Sequence, residues 1–196
     1  MGITIDNIGV SISLTSDRLP FVATEAGKAY DGLAPLPVSI LLDNVRSSYN
    51  VGAFFRTCDA AGAAKLYLAG ITATPPHKEI HKTALGAELT VPWEGWVDAE
   101  PGLRELRARE VEIAVIETSV HAVDLFDWQP RFPVCVVFGN EVDGVRPEIT
   151  AFADTHVRIP MLGTKHSLNV ATAGGVVIYE LLRKYRRMFG TAVSDS

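Results

Sequence analysis

The sequence predicts an α/β protein, a mostly parallel β-sheet flanked by helices. Three observations predict it. Apolar stretches at 36–43, 111–117 and 134–138 have the length of strands, and the first and third are continuous, as in strands covered on both faces. Between 36–43 and the next strand, 65–69, Val51, Phe54, Phe55, Cys58 and Ala61 recur at helical spacing; this is a β-α-β unit with a short return, which implies parallel strands. The length, 196 residues, suits one domain with a sizeable core.

In chain order, Ile3, Ile5, Val10, Ile12 and Leu14 alternate as a strand or hairpin would, and residues 24–37 are rich in Ala, Gly and Pro. Residues 1–35 therefore read as an extension or arm, too short to bury a core of their own. Residues 36–190 form the domain, and 191–196 a flexible C-terminus. Asn50 or Ser48 is the expected cap of the first helix, and Gly62 its end. A helix follows over 77–85, a short strand over 87–91, and a charged amphipathic helix over 100–110 whose buried edge is Leu103 and Leu106. Pro130 and Pro133 bracket a loop, 147–152 is a short helix and 156–159 the last strand. The final helix opens at Ser167, a good N-cap residue, and runs to the basic residues near Arg187. From Val170 to Ile178 it is apolar or small on every face and carries Gly174-Gly175, each costing ~1 kcal/mol relative to Ala. Such a helix is expected against a ligand, a chain crossing or a subunit interface.

Composition excludes several classes. With 47% hydrophobic and 21% charged residues the chain reads as an ordinary soluble protein. No apolar run approaches the ~20 residues of a membrane span, and no basic segment with an apolar run opens the chain as a signal peptide would. Cys58 and Cys135 read as buried thiols in a reducing compartment, so a cytoplasmic location and no disulfide are expected. The net charge of −5 argues against nucleic-acid binding by bulk electrostatics, though not against a local basic patch. There is no Gly-x-Gly-x-x-Gly, P-loop or Gly-x-Ser-x-Gly. His77 and His81 lack the glutamate of a zinc-protease helix, since position 78 is Lys, and the cysteines are not spaced as zinc ligands; no metal site is expected. Asp124, Asp127 and Trp128 read as a loop.

Three constellations carry chemistry. Asn50-Val-Gly52 with Arg56 opens the first helix, Arg56 pointing away from the core; a cap plus a surface Arg paired with Asp59 explains it equally well. Gly139-Asn140-Glu141 and Gly144 follow a buried strand, where parallel sheets bind ligands; a tight turn with a solvated Asn-Glu is the equal alternative. The turn 163–166, with Ser167 and Asn169, follows the last strand and could present backbone N–H groups to a ligand; ordinary capping is the alternative.

Together, Asn50, Gly52 and Arg56, then Gly139, Glu141 and Gly144, then Ile159-Pro-Met161 with Ser167-Leu-Asn-Val170, resemble the SpoU-type ribose 2′-O-methyltransferases of the SPOUT class. The resemblance covers residues 36–187. It implies a C-terminal deep trefoil knot, a homodimer, and an S-adenosylmethionine-dependent enzyme that methylates a ribose 2′-hydroxyl of RNA, tRNA favoured over rRNA. It implies S-adenosylmethionine at Glu117, Thr118, Gly139, Ile159 and Leu168, and catalytic roles for Arg56, Asn50, Glu141, Ser167 and Asn169. Arg56 would bind the phosphate and stabilise the developing alkoxide, a better task for a guanidinium than that of base. Lys165, His166, Arg183 and Arg186 are the candidate RNA contacts, with Tyr49, Lys184 and Arg187 beside them; many members of the family add an RNA-binding domain, for which only the first ~35 residues and the basic tail are at hand here. A knotted RNA-binding protein without catalysis, or an α/β enzyme acting on a small nucleotide, are the alternatives.

Overall fold

The computed structural model describes residues 35–119 and 121–189. The expected N-terminal extension or arm up to residue 34, with its alternating segment, and the C-terminal residues 191–196 lie outside them. Seven strands form one sheet in the order β3-β2-β1-β6-β4-β7-β5, every pairing parallel. They are β1 Leu36–Asp43, β2 Ala63–Ala69, β3 Trp93–Trp96, β4 Glu112–Ile116, β5 Val123–Asp124, β6 Val134–Phe138 and β7 Thr155–Arg158. The helices are α1 Ser48–Ala61, α2 Lys78–Ala84, α3 Ala99–Ala108, α4 Pro147–Phe152 and α5 Val170–Phe189.

The continuous apolar runs are explained by two helical layers. Ile40, Leu42, Val136 and Phe138 face a core that includes Phe54 and Phe55 of α1, Ile80 of α2 and Val177 and Leu181 of α5. Their neighbours Leu41, Cys135 and Val137 face the other core, with Leu103 and Leu106 of α3 and Ile149 of α4. Because side chains alternate along a strand, both sets must be apolar. Burial pushes both thiols, Cys58 and Cys135, up to about 12, so they pack as inert small apolar groups.

Several expectations are corrected. Residues 87–91 are not a strand; Ala87–Leu89 is a 3-10 turn, and the strand of this region is β3. In β3 two Trp flank Glu94-Gly95, and β5 has only two residues, so neither gave an apolar run to read. The cap of α1 is Ser47, whose Oγ accepts from the Asn50 N–H at 3.4 Å, and not Ser48 or Asn50. Gly62 ends α1 as expected, at φ 67°, its N–H bonded to the Asp59 and Cys58 carbonyls. Ser167 does not open the last helix: α5 begins at Val170, and Asn169 Oδ1 accepts from the Ala171 and Thr172 N–H groups at 3.0 and 3.3 Å. Nor is α5 enclosed all round, since Val176 and Tyr179 are exposed. Of its glycines, only Gly174 makes a close approach: a Cβ there would lie 2.2 Å from Phe54 Cε1, whereas one on Gly175 would meet nothing within 4 Å. Of the expected loop residues, Asp127 and Trp128 do lie outside helix and strand, but Asp124 belongs to β5; Trp128 is buried, its Nε1 donating to Glu112 Oε1 at 3.2 Å.

Candidate active site

The loops that follow β4, β6 and β7, with the first turn of α5, enclose a cavity of about 350 Å³. Cavities of a few hundred Å³ outside the carboxyl ends of parallel strands are where such folds bind small ligands. Ile116, Phe138, Ile159, Leu168, Val170 and Ala173 supply apolar walls, and Glu117, Glu141, Asp143, Ser167 and Asn169 supply polar ones.

The loop 139–146 is built by its own side chains. Asn140 N–H donates to the Gly144 carbonyl at 2.9 Å and Gly144 N–H to the Asn140 carbonyl at 3.0 Å, closing a tight loop. Asn140 Oδ1 accepts from the Val142 and Asp143 N–H groups, and its Nδ2 donates to the Asn44 carbonyl at 2.9 Å. The side of Gly139 that a Cβ would take is filled by its own loop, such an atom falling 2.1 Å from Gly144 O, while the residue still lines the cavity.

Glu141 is held by the start of α1. Its Oε2 accepts from Arg46 N–H at 2.9 Å, and its Oε1 from Ser47 N–H at 3.1 Å and Asn50 Nδ2 at 2.9 Å. Burial pushes its carboxyl up, but the Arg46 N–H, the Asn50 amide and the Ser47 N–H together hold it below the ordinary value. The carboxylate is thus a strap between the β6 loop and the start of α1. Asn169 Nδ2 extends the strap by donating to Asn50 Oδ1 at 3.2 Å. Three residues 28 to 119 positions apart in sequence therefore share one hydrogen-bonded line, Asn169 to Asn50 to Glu141.

Glu117 Oε1 accepts from Thr118 N–H at 2.9 Å and Oε2 from Val145 N–H at 3.3 Å, so it steadies the rim of the cavity while facing it. Thr118 Oγ1 donates to the His166 carbonyl at 3.4 Å and thereby touches the third loop.

One support of the loop 139–146 was missed in the sequence. Asp43, buried at the end of β1, takes two hydrogen bonds from Arg146, Nε to Oδ2 at 2.9 Å and Nη2 to Oδ1 at 3.0 Å. Arg146 Nη2 also donates to Asp98 Oδ1 at 2.7 Å, at the start of α3. These carboxylates raise the Arg146 guanidinium above its ordinary value, and its hydrogen bond is the main cause of the lowered Asp98 carboxyl. The available signal was a lone Asp closing an apolar strand, which names no partner.

The sequence-predicted residues divide. Glu117, Thr118, Gly139, Glu141, Ile159, His166, Ser167, Leu168 and Asn169 line the cavity, and Asn50 is bonded to two of them. Arg56, Lys165, Arg183 and Arg186 do not line it. Arg56 is exposed on α1, and Asp59, also on α1, accepts from Thr90 Oγ1 at 2.7 Å. In the tail, Arg183 is paired with Glu180, and Lys184 is buried, its Nζ donating to the Phe126 and Trp128 carbonyls. Burial is the main cause of the lowered Lys184 amine. Among the described residues, no group of three His, Cys, Asp or Glu could hold a metal, and no helix is long and apolar enough to cross a membrane.

Fold and cavity together define an α/β protein with a parallel sheet and a cavity at the carboxyl ends of β4, β6 and β7. Within that class, residues 37–179 match the model of the SpoU rRNA Methylase family, and the chain belongs to that family. It is 34% identical over 151 residues to a tRNA (guanosine(18)-2′-O)-methyltransferase of Aquifex aeolicus, covering 74% of this chain and 68% of that one. It is 35% identical over 164 residues to the 23S rRNA (guanosine-2′-O-)-methyltransferase RlmB of Ralstonia nicotianae, covering 83% of this chain and 65% of that one. A solved structure of an AdoMet-bound rRNA methyltransferase from Sinorhizobium meliloti superposes with a TM-score of 0.70 at 30% identity, covering 80% of this chain and 61% of that one.

Proposed function

We propose that this protein transfers a methyl group from S-adenosylmethionine to a ribose 2′-hydroxyl of RNA, with tRNA as the acceptor. The observation that carries the proposal is the cavity behind β4, β6 and β7, bordered by the Asn169–Asn50–Glu141 line. Membership in the SpoU family and the names of the relatives support the reaction. By the resemblance, the variants Gly139-Asn140-Glu141 and Lys165-His-Ser-Leu-Asn169 are closest to the branches of the family that modify tRNA, and the relative named tRNA (guanosine(18)-2′-O)-methyltransferase is in keeping with that acceptor.

The residues present fit the cofactor. Its adenine needs apolar walls, which Ile116, Ile159, Leu168 and Val170 offer, and its sulfonium is favoured by nearby negative charge, which Glu117 and Asp143 offer. When bound, S-adenosylmethionine supplies an electrophilic methyl group. The protein's part is positioning, because a one-step displacement needs the nucleophile held in line. Asn50 and Asn169 orient the ribose side of the cavity, Glu141 holds Asn50 and the loop before α1, and Ser167 offers a hydroxyl at its rim. Arg56 binds the neighbouring phosphate and stabilises the charge that develops as the hydroxyl loses its proton.

The same reading includes a trefoil knot and a homodimer. The chain leaves β7, two strands beyond β6, and α5 packs back against α1 through Gly174 and Phe54. Residues 159–169 must therefore pass the loops after β4 and β6, and this crossing is the proposed knot. The exposed Val176 and Tyr179 of α5, beside the open side of Gly175, are the proposed dimer face, which sedimentation tests directly.

The deciding experiment incubates the purified protein with methyl-labelled S-adenosylmethionine and with tRNA or rRNA. Label in 2′-O-methyl nucleosides, lost on nuclease pre-treatment and reduced at least ~100-fold in Arg56→Ala, is expected. Cofactor binding without transfer to any RNA overturns the enzyme reading.

A further inference from the structure

Acidic proteins that bind RNA need a local cluster of uncompensated cations, since phosphate contacts supply most of the affinity. The basic residues of this chain differ in how far carboxylates already answer them. On α3, Arg104 pairs with Glu100, Arg107 with Asp154 and Arg109 with Glu105. On α5, Arg183 pairs with Glu180 and Lys184 is buried. Lys65 pairs with Glu94, and Arg146 with Asp43 and Asp98.

Among the described residues, Arg46, Arg131, Arg158, Lys165 and Arg187 also lie outside these ion pairs, but helix α2 places two such cations one turn apart on one exposed face. Ile80 and Ala84 are buried against the core, while Lys78, His81 and Lys82, with the capping His77, are exposed. Among the described residues, neither Lys78 nor Lys82 takes part in an ion pair. Of the acids nearby, Glu88 is buried, one oxygen 2.6 Å from His81 Nδ1 and the other accepting from Gly86 N–H at 3.0 Å, and Glu79 is half-buried; neither pairs with Lys78 or Lys82.

This helix is clamped to the helix that carries the site. A Cβ on Gly52 would lie 2.0 Å from Thr83 Oγ1 and 2.6 Å from Ile80 O, so α1 and α2 meet backbone to backbone. Thr83 Oγ1 also donates to the Tyr49 carbonyl at 3.1 Å, and further along α1 Asp59 accepts from Thr90. Gly52, Arg56 and Asp59 are spaced four and three apart, which sets Arg56 on the stripe of α1 that faces α2, at its exposed edge. Asn50, at the start of the same helix, belongs to the cavity's hydrogen-bonded line.

We infer that the exposed face of α2, with Lys78 and Lys82 at its centre, is a docking surface for the phosphate backbone of the substrate RNA, leading the strand along α1 to Arg56 and the cavity. This rests on the RNA methyltransferase reading and moves the principal RNA contact from the C-terminal tail to α2. The face offers no fork of donors or acceptors for base edges, so it positions the RNA without reading its sequence.

The test uses the full-length protein and compares two double substitutions with equal charge change. Lys78→Gln with Lys82→Gln alters α2; Arg104→Gln with Arg109→Gln alters the ion-paired α3. Both sites are exposed, and binding of S-adenosylmethionine serves as a check that each variant is folded. The α2 pair is expected to raise Kd and KM for RNA roughly fivefold or more, and to flatten the plot of log K against log salt by about two contacts. It should leave kcat at saturating RNA and cofactor binding unchanged, and Lys78→Arg with Lys82→Arg should restore wild-type affinity. The α3 pair should change RNA affinity less than about twofold. If the α2 pair leaves Kd and the salt slope at wild-type values while the wild-type protein methylates RNA, the inference is wrong and the function stands. Equal losses in both pairs also overturn it, as a net-charge effect. A wild-type protein that methylates no RNA removes the parent reading itself.

Discussion

The two segments that border the cavity from opposite sides are held very differently. Residues 139–146 are tied to β1 through Arg146–Asp43, to the loop before α1 through Glu141, and to Asn44 through Asn140. Residues 162–169 are all exposed, and their side chains or carbonyls meet the rest of the protein through Thr118 to the His166 carbonyl and Asn169 to Asn50. The first segment is preorganised and its geometry costs nothing at the moment of binding. The second keeps few bonds to break, so it is the part that can settle around a ligand.

The contrast can be broken by removing its strongest tie. Arg146→Met leaves Asp43 buried without its partner and should cost about 3 kcal/mol, at the low end for a broken buried pair because Arg146 is partly exposed; urea unfolding measures it. Gly174→Ala, at the anchor beyond the open segment, should cost about 1–3 kcal/mol as its Cβ meets Phe54, while Gly175→Ala, facing open space, should be neutral or gain up to ~1 kcal/mol.

Glu141→Gln sharpens the contrast through pH. The folded carboxyl lies below its ordinary value of 4.5, so its contribution is fully present above that value and is lost as pH falls through the lowered one. The stability gap between wild type and Glu141→Gln should therefore be widest near neutrality and shrink below pH 4.5. The smallest effect belongs to the open segment: Leu162→Ala and Lys165→Ala should change stability by no more than ~0.5 kcal/mol. A large loss there would show that residues 159–169 are as fixed as 139–146.

Much of this was legible because it is local. A run such as Leu36–Asp43 buries both faces wherever it lies, and Val51, Phe54 and Phe55 fall on one side of any helix. Motif spacing likewise brought most of the cavity's residues to notice, since loops after parallel strands end on one side of the sheet. The corrections fall where a partner distant in sequence decided the outcome. Ser167 and Asn169 are both good caps, and the contact to Asn50 accompanies the choice of Asn169. Gly174 and Gly175 are identical in sequence, and only Phe54 distinguishes them.

By itself, then, the sequence determined the class of fold, the strands of its centre and the residue types at the site, because periodicity and turn chemistry act over a few residues. Tertiary structure alone decided what those residues do. It made Glu141 a strap, joined Asp43 to Arg146 across 103 positions, buried Lys184 and left Lys78 and Lys82 exposed. Charge and hydrogen-bonding capacity are written in the chain, but whether they are spent inside the protein or offered to a ligand depends on which partner the fold brings within about 3 Å.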